Sequence, residues 1–320
     1  MSYKPQERIN LKKATKATIT TIIDNYIHVD LPSSDKVGRA PLMKNNVRMT
    51  PLLAEHGFSV LVEVFGNSKP HSILMDFGVS KIGVPHNLKA LEVDLDTIET
   101  FVVSHGHHDH VGAILEVLSS LSKKPHTVFV HPDAFISTRF RKLPNGNQVA
   151  IPGLKKGLVE ETGNKTIDGK SPALLSCDFV LALGEIPRIT DFEKGMPSAY
   201  YEKDGKIHKD LIRDDTGIVL DIKGKGLVVI SGCGHSGIIN TVRYAQKITG
   251  TEKIYCVMGG FHLIGPAGNP LITRTIEEMK KLDPEVIVPC HCTGHEAIYE
   301  FEKTFQAAFV LNASGTRINL

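Results

Sequence analysis

Between Ser104 and Gly112 the chain reads Ser-His-Gly-His-His-Asp-His-Val-Gly, placing His105, His107, Asp109 and His110 within six consecutive positions. All four are metal-ligand side chains, and their nitrogen and oxygen donors suit divalent ions such as zinc. The loop follows an apolar strand ending in Phe101-Val102-Val103, and a helix resumes at Val111. Imidazoles at alternate positions then converge on one ion while the Asp-His pair points across to a second. Such a pair of ions would acidify a water held between them, since zinc lowers the pKa of bound water from about 15.7 to about 7 and a second ion stabilises a developing oxyanion. A solvated His-rich turn is the bland alternative. Low-complexity His tracts, however, lack the interposed Asp and the strand-to-helix setting.

Three later segments carry the same design. Ser231-Gly232-Cys233-Gly234-His235-Ser236-Gly237 follows the apolar run Leu227 to Ile230, Gly259-Gly260-Phe261-His262 follows Tyr255 to Met258, and Pro289-Cys290-His291-Cys292-Thr293-Gly294-His295 follows Val286 to Val288. An earlier one, Asp76-Phe77-Gly78, closes Ile73 to Met75. The carboxyl ends of strands are where α/β proteins build sites, and flanking glycines let the backbone turn sharply there.

These loops require strands and helices in a particular order. Residues 16 to 29, Gly57 to Val64 and Ser72 to Phe77 are β-branched or alternating, with Gly66, Asn67, Ser68 and Pro70 forming a turn, so the opening third reads as a meander. From Ile98 the rhythm becomes strand, helix, strand over Thr100 to Ser104, Val111 to Leu121 and Thr127 to His131. The stretch from about Ala134 to Ile212 is rich in Gly, Lys, Pro and Asn and has no sustained periodicity apart from Leu174 to Leu183, which reads as an inserted flap. A hairpin, Gly217 to Ile222 and Gly226 to Ser231 about Lys223-Gly224-Lys225, opens a second series. Helices are expected over Ile238 to Ile248, Leu271 to Leu282 and Glu296 to Phe305, and strands over Ile254 to Met258, Val286 to Pro289 and near Arg317. Strands followed by strand-helix alternation, given twice, imply two sheets packed face to face with helices outside.

The 320 residues suffice for one elaborated domain, taken here as residues 1–320 with the flap inserted at about 134–212. A 41% hydrophobic and 22% charged composition without a long apolar run fits a soluble α/β enzyme and excludes a membrane-spanning helix. A net charge of +2 makes nucleic acid a poor first partner. The five cysteines are odd in number and scattered, and the N-terminal Met-Ser-Tyr-Lys-Pro-Gln-Glu-Arg precedes no apolar stretch. Neither a disulfide framework nor a secretory signal is indicated, and a cytoplasmic location is expected.

Taken together, the motifs resemble those of the metallo-β-lactamase superfamily. Its His-x-His-x-Asp-His signature matches His105, His107, Asp109 and His110, its strand-end Asp matches Asp76, and its final metal His matches His291. The resemblance spans about residues 50 to 320 and implies an αββα sandwich with metals at one edge of two sheets. The usual Thr-Pro-Gly-His-Thr element is missing, and Cys233 stands where a bridging Asp is expected; zinc β-lactamases of the superfamily also use Cys there. His235, or else Asp214 or Asp215, would then complete the first metal. Ala54-Glu55-His56-Gly57-Phe58-Ser59, Gly184-Glu185-Ile186-Pro187-Arg188, Asp214-Asp215, Gly232 to His235, Gly260 to Leu263 and His291 to Gly294 are similar to the dihydropteroate-synthase-like subgroup. One activity described there joins a dihydropterin to a ribofuranosyl-aminobenzene phosphate.

The resemblance implies one divalent ion on His105, His107 and His235 and a second on Asp109, His110 and His291, with Cys233 joining or bridging. Zinc is the first expectation, with iron and manganese as alternatives. Asp76 would orient a ligand histidine, Asp109 and His262 would serve in catalysis, and Arg188, Phe261 and His262 would contact substrate, Arg188 through a phosphate. His56, Cys290, Cys292, His131, Asp133 and His295 are read as structural, and His108 as facing solvent. The expected function is metal-dependent hydrolysis, by metal-bound hydroxide, of an ester, lactone, thioester or phosphoester of a small metabolite. Metal-assisted transfer joining a dihydropterin to a ribofuranosyl-aminobenzene phosphate is the runner-up, and a metal-containing binding or regulatory protein with little turnover the third reading; the expected partner is a small-molecule substrate, phosphorylated or pterin-like. No membrane partner is expected, and a homodimer is among the assemblies left open.

Overall fold

The structure is a computed structural model, and it describes residues 8–66, 69–266 and 268–320. Residues 1–7, Ala267, and Asn67 and Ser68 of the expected turn lie outside that set.

Two large mixed sheets lie face to face. In the first, the strands run in the spatial order Lys165–Asp168, Thr127–Val130, Ile98–Val102, Pro70–Met75, Ser59–Phe65, Lys16–Ile23, Arg317–Asn319 and Val37–Gly38. In the second the order is Ala173–Leu175, Val180–Ala182, Gly217–Ile222, Gly226–Ser231, Ile254–Gly260 and Val286–Cys290, with Lys13–Ala14 paired beside Gly217–Ile222. Strand alternation explains the layering, because successive side chains point to opposite faces. Ile218 and Leu220 join Ile19, Val62, Met75 and Val102 in the core between the sheets. Val219, from the same strand, instead packs with Val242, Met279 and Phe301 under helices Ile238–Thr249, Pro270–Leu282 and His295–Phe305. On the far side, Leu74, Phe101 and Val128 pack with Val84, Leu88 and Leu118 from helices Gly83–Ala90 and Ile114–Ser119. The result is the expected αββα sandwich.

The hairpin about Lys223 to Lys225 and the three helices after Gly237 stand where the periodicity places them, to within two residues. The helix expected from Val111 to Leu121 is divided at Gly112 into His108–Val111 and Ile114–Ser119. Strand character ends at Ile23 rather than residue 29, and Asp24 turns into the site described below.

The stretch expected to be one inserted flap divides into two kinds of structure. Gln148–Ala150, Arg139–Lys142, Ala199–Lys203 and Lys206–Lys209 form a separate four-stranded sheet. Lys165–Asp168 instead joins the edge of the first large sheet, and Ala173–Leu175 with Val180–Ala182 join the edge of the second. The last two lie on the periodic stretch Leu174 to Leu183, whereas the exposed strands and Lys165–Asp168 at the sheet edge carry no long apolar run and are concealed in a Gly- and Lys-rich stretch.

Candidate metal centre

Parallel strands in register bring their carboxyl ends to one rim of the sandwich. Met75 pairs with Val102, Ser231 with Gly259 and Gly260 with Cys290, so Asp76, Ser104, Cys233, His262 and His291 all follow neighbouring strand ends. Three of these sharp turns hold non-glycine residues in the left-handed region, with φ of 64° at Asp76, 46° at His262 and 52° at His291. Such backbone costs about 1–3 kcal/mol per residue and persists where surrounding contacts over-determine it. At His291 those contacts are explicit: its N–H donates to Asp24 Oδ1 at 3.0 Å and its carbonyl accepts from Asn25 Nδ2 at 2.8 Å. Asp24 is itself held by Asn312 Nδ2 at 2.7 Å. Asp24, Asn25 and Asn312 escape a reading by motif because each is a single polar residue far in sequence from the ligands it holds.

Among the described residues two separate groups of ligand atoms result, and a third overlaps both. His105, His107 and His235 form one, with His235 Nε2 3.2 Å from His107 Nδ1; Asp109, His110, Cys233 and His291 form the second; Cys233 and His235 also stand together with His262. In the second group His110 Nε2 lies 3.1 Å from Cys233 Sγ and 3.0 Å from His291 Nε2, and Asp109 Oδ2 lies 3.3 Å from His291 Nε2. The imidazoles and Cys233 are buried, while Asp109 keeps partial access to solvent. His235 joins His105 and His107; Asp214 and Asp215 stand behind these groups and form neither. Cys233 reaches the second group from the same loop as His235, directly after the strand Gly226–Ser231.

The hydrogen bonds around these rings decide which nitrogens carry lone pairs. Asp76 Oδ2 accepts from His110 Nδ1 at 2.6 Å and from the Ser104 hydroxyl at 2.7 Å, while Asp76 Oδ1 accepts from the Ser104 N–H at 2.7 Å. With its proton given to Asp76, the Ser104 hydroxyl accepts from His105 Nδ1 at 3.0 Å. The network therefore places a proton on His105 Nδ1 and on His110 Nδ1, so that in the neutral form of either ring the lone pair belongs to Nε2. His105 Nε2 is buried with no hydrogen-bond partner among the described residues. A buried unpaired acceptor is costly, and a bound cation would satisfy it.

Charge favours the same occupant. Burial pushes the His105 and His235 pKa values well down, with neighbouring histidines adding to the effect, and pulls His107 down to about 4. At His110 burial opposes protonation, but the charges of Asp76 and Asp109 overcome it and raise the pKa to about 9. Asp109 is held far below the ordinary carboxylate range by His110 and His291, against the opposing effect of burial. The pocket thus keeps three imidazoles neutral and able to ligate, and holds Asp109 ionised beside His110 and His291. The donors fit divalent ions in both groups.

The remaining predicted residues scatter. His262 is half-buried beside His235, with ring centroids 4.3 Å apart, and its Nδ1 is buried without a partner. Its pKa is raised because the neighbouring Cys292 outweighs burial. Phe261, expected to contact substrate, instead packs edge-to-face on Phe301 within the helix-side core, 2% exposed; one position along a strand end turns a side chain to the opposite face. Arg188 Nη2 donates to the carbonyls of Leu211, Ile212 and His235, so it lies behind the His235 loop. His56 is largely exposed at the mouth, 3.7 Å from Asp109 Oδ2 and stacked on His291. Glu55 accepts from the N–H groups of Val79 and Ser80. His108 faces solvent, Cys290 packs between the sheets, and Cys292 Sγ donates to the Cys233 carbonyl at 3.3 Å.

The sequence model of the metallo-beta-lactamase superfamily matches residues 54–291, which include both groups of ligands. The chain belongs to this superfamily. It is 33% identical over 267 residues to the 7,8-dihydropterin-6-methyl-4-(beta-D-ribofuranosyl)-aminobenzene-5'-phosphate synthase of Methanocaldococcus jannaschii, covering 81% of this chain and 88% of that protein. An uncharacterized protein of the same organism is also 33% identical, over 80% of this chain and 91% of its own length. Among solved structures, Tm1679, described as a metal-dependent hydrolase of the beta-lactamase superfamily, superposes with a TM-score of 0.71 at 24% identity, covering 95% of this chain and 98% of the other. YhfI of Bacillus subtilis, a metallo-beta-lactamase fold protein, gives 0.51 at 11% identity over 96% of this chain and all of the other. These likenesses carry the superfamily fold to this chain. Among the described residues, no helix is long and apolar enough to cross a membrane.

Proposed function

We propose that this chain is a two-metal enzyme that joins a dihydropterin to a ribofuranosyl-aminobenzene phosphate. The observation that carries the metal-dependent part is the pair of adjacent, buried ligand groups whose lone pairs are set by Asp76 and Ser104. The acceptor and donor classes rest on the 33% identity, over four-fifths of the chain, with the synthase of Methanocaldococcus jannaschii.

In this reading His105, His107 and His235 hold one divalent ion and Asp109, His110, Cys233 and His291 the other, zinc being favoured by the nitrogen and thiolate donors. Bound there, the ions would polarise substrate oxygen and stabilise developing negative charge. Asp76 fixes the His110 tautomer so that Nε2 faces the ion. Asp109, held low in pKa and open on one side, stays ionised at the mouth, where it would hold the second ion and orient what approaches it. His262, with an unpaired buried Nδ1 and a raised pKa, is suited to hand a proton to a leaving group. Arg188 acts by fastening the carbonyl side of the His235 loop, and a contact to the substrate phosphate is the alternative role for its guanidinium.

Hydrolysis of an ester, lactone, thioester or phosphoester is the second reading, favoured by the close approach of the two ligand groups. Metal analysis after reconstitution is the first test, with two ions per chain expected; less than one would remove the two-metal reading. The metal-loaded protein would then be given a 7,8-dihydropterin bearing a leaving group on its 6-methylene carbon, together with 4-(β-D-ribofuranosyl)aminobenzene 5'-phosphate. A joined product that disappears in His105→Ala is expected. Turnover of an ester panel without any joined product would give the second reading its place.

A further inference from the structure

Arg139 belongs to the small four-stranded sheet, yet it is among the largest fully buried side chains of the molecule, 2% exposed. Its Nη2 and Nη1 lie 2.6 and 2.9 Å from the two oxygens of Asp214, and its Nε lies 2.8 Å from Asp210 Oδ2. Asp214 Oδ2 also accepts from the Gly106 N–H at 2.8 Å, in the turn between His105 and His107. The next two residues continue the attachment. Asp215 Oδ2 accepts from the Ser236 N–H at 2.8 Å, directly after His235, and the Thr216 N–H donates to the Ser104 carbonyl at 3.0 Å, directly before His105. Both loops that carry the three-histidine group therefore hang from Asp214-Asp215-Thr216, and Arg139 is the cation that neutralises this frame. The turn at Gly106 is also packed closely from another side, since a Cβ there would meet the Ala134 carbonyl at 2.2 Å. The second ligand group is braced from elsewhere, through Asp76 at His110 and Asp24 with Asn25 at His291.

We infer that Arg139 is a positioning residue for the first metal alone: its two-pronged bond to Asp214 sets the spacing of His105, His107 and His235, so the small sheet governs metal affinity at that group and not at the other. A guanidinium suits the task because its planar fork matches both carboxylate oxygens, and removing it leaves a buried carboxylate unpaired. The inference rests on the two-metal reading above.

The test is zinc affinity, measured by competition with a chromophoric chelator, in the full chain. Native protein is expected to take two ions, His291→Ala isolates the three-histidine group and His235→Ala isolates the other. Added to His291→Ala, Arg139→Met is expected to weaken zinc binding about 10–100-fold, the range for outer partners of metal ligands. Added to His235→Ala, it is expected to leave affinity unchanged. Arg139→Lys keeps the charge without the fork and is expected to show the same split, so the comparison holds should Arg139→Met fail to fold. Equal weakening in both backgrounds, or undiminished affinity in the His291→Ala background, overturns the positioning role while leaving the two-metal reading intact. No zinc uptake by the native chain overturns both.

Discussion

Asp76 shows how much a site depends on one residue that touches no substrate. Its two oxygens accept three hydrogen bonds, from His110 Nδ1, the Ser104 hydroxyl and the Ser104 N–H. An amide in its place has only one acceptor oxygen, so Asp76→Asn should disturb the His110 tautomer. Zinc affinity of the Asp109, His110, Cys233 and His291 group is then expected to fall about 10–100-fold, checked by chelator competition. Arg188 offers a sharper choice. If it fastens the His235 loop through carbonyls, Arg188→Met reduces zinc content at the three-histidine group, measured by metal analysis. If it binds phosphate instead, the variant keeps its zinc and raises KM for the phosphorylated acceptor but not for its dephosphorylated form. At this scale the contiguous cluster from His105 to His110 is legible in the sequence because one loop writes it in order. Phe261 is misread because its neighbour His262 sits at a strand end where alternate residues face opposite sides, and Asp24 passes unnoticed because its partner His291 is far away along the chain.

Strand ends do the assembling at the scale of elements, and glycine decides how closely they approach. Gly232 ends the strand Gly226–Ser231, and a Cβ there would stand 2.1 Å from Ser104 Oγ and 3.1 Å from Asp76 Oδ2. Both atoms belong to the bonds that orient His105 and His110, so neither can yield without turning a ring. Gly232→Ala is therefore expected to cost about 1–3 kcal/mol of stability, as overpacking does, and to lower zinc content as well. Thermal unfolding and metal analysis on the same preparation check the pair of effects; a stability loss with full zinc occupancy would contradict the coupling. The core strands and the three long helices are legible because apolar periodicity over five or more residues marks them. The small sheet about Arg139 is concealed, since exposed strands carry polar residues and leave no periodic signal, whereas the strands Ala173–Leu175 and Val180–Ala182 fall on the periodic stretch Leu174 to Leu183.

Across the whole molecule, each ligand group draws on both sheets. His105, His107, Asp109 and His110 follow a strand of the first sheet, whereas Cys233, His235 and His291 follow strands of the second. An ion in either group would therefore cross-link two layers otherwise held by the apolar core between them. Binding confined to the folded state stabilises by about 2.7 kcal/mol when free metal is 100 times the dissociation constant, and by about 4.1 kcal/mol at 1,000 times. The metal-loaded protein is accordingly expected to unfold at a higher temperature than the chelated one, with a midpoint that rises with free zinc. His235→Ala should retain only the part contributed by the second group. The sign of the pH dependence follows from the ligands, since imidazole must be unprotonated to bind zinc and protons compete for the same lone pairs. The stabilisation by zinc should therefore shrink as the pH falls, and melting curves with and without zinc should converge in acid. A zinc-dependent rise in the unfolding midpoint that persisted undiminished in the double variant His235→Ala, His291→Ala would place the stabilising ion outside both groups and refute the cross-link.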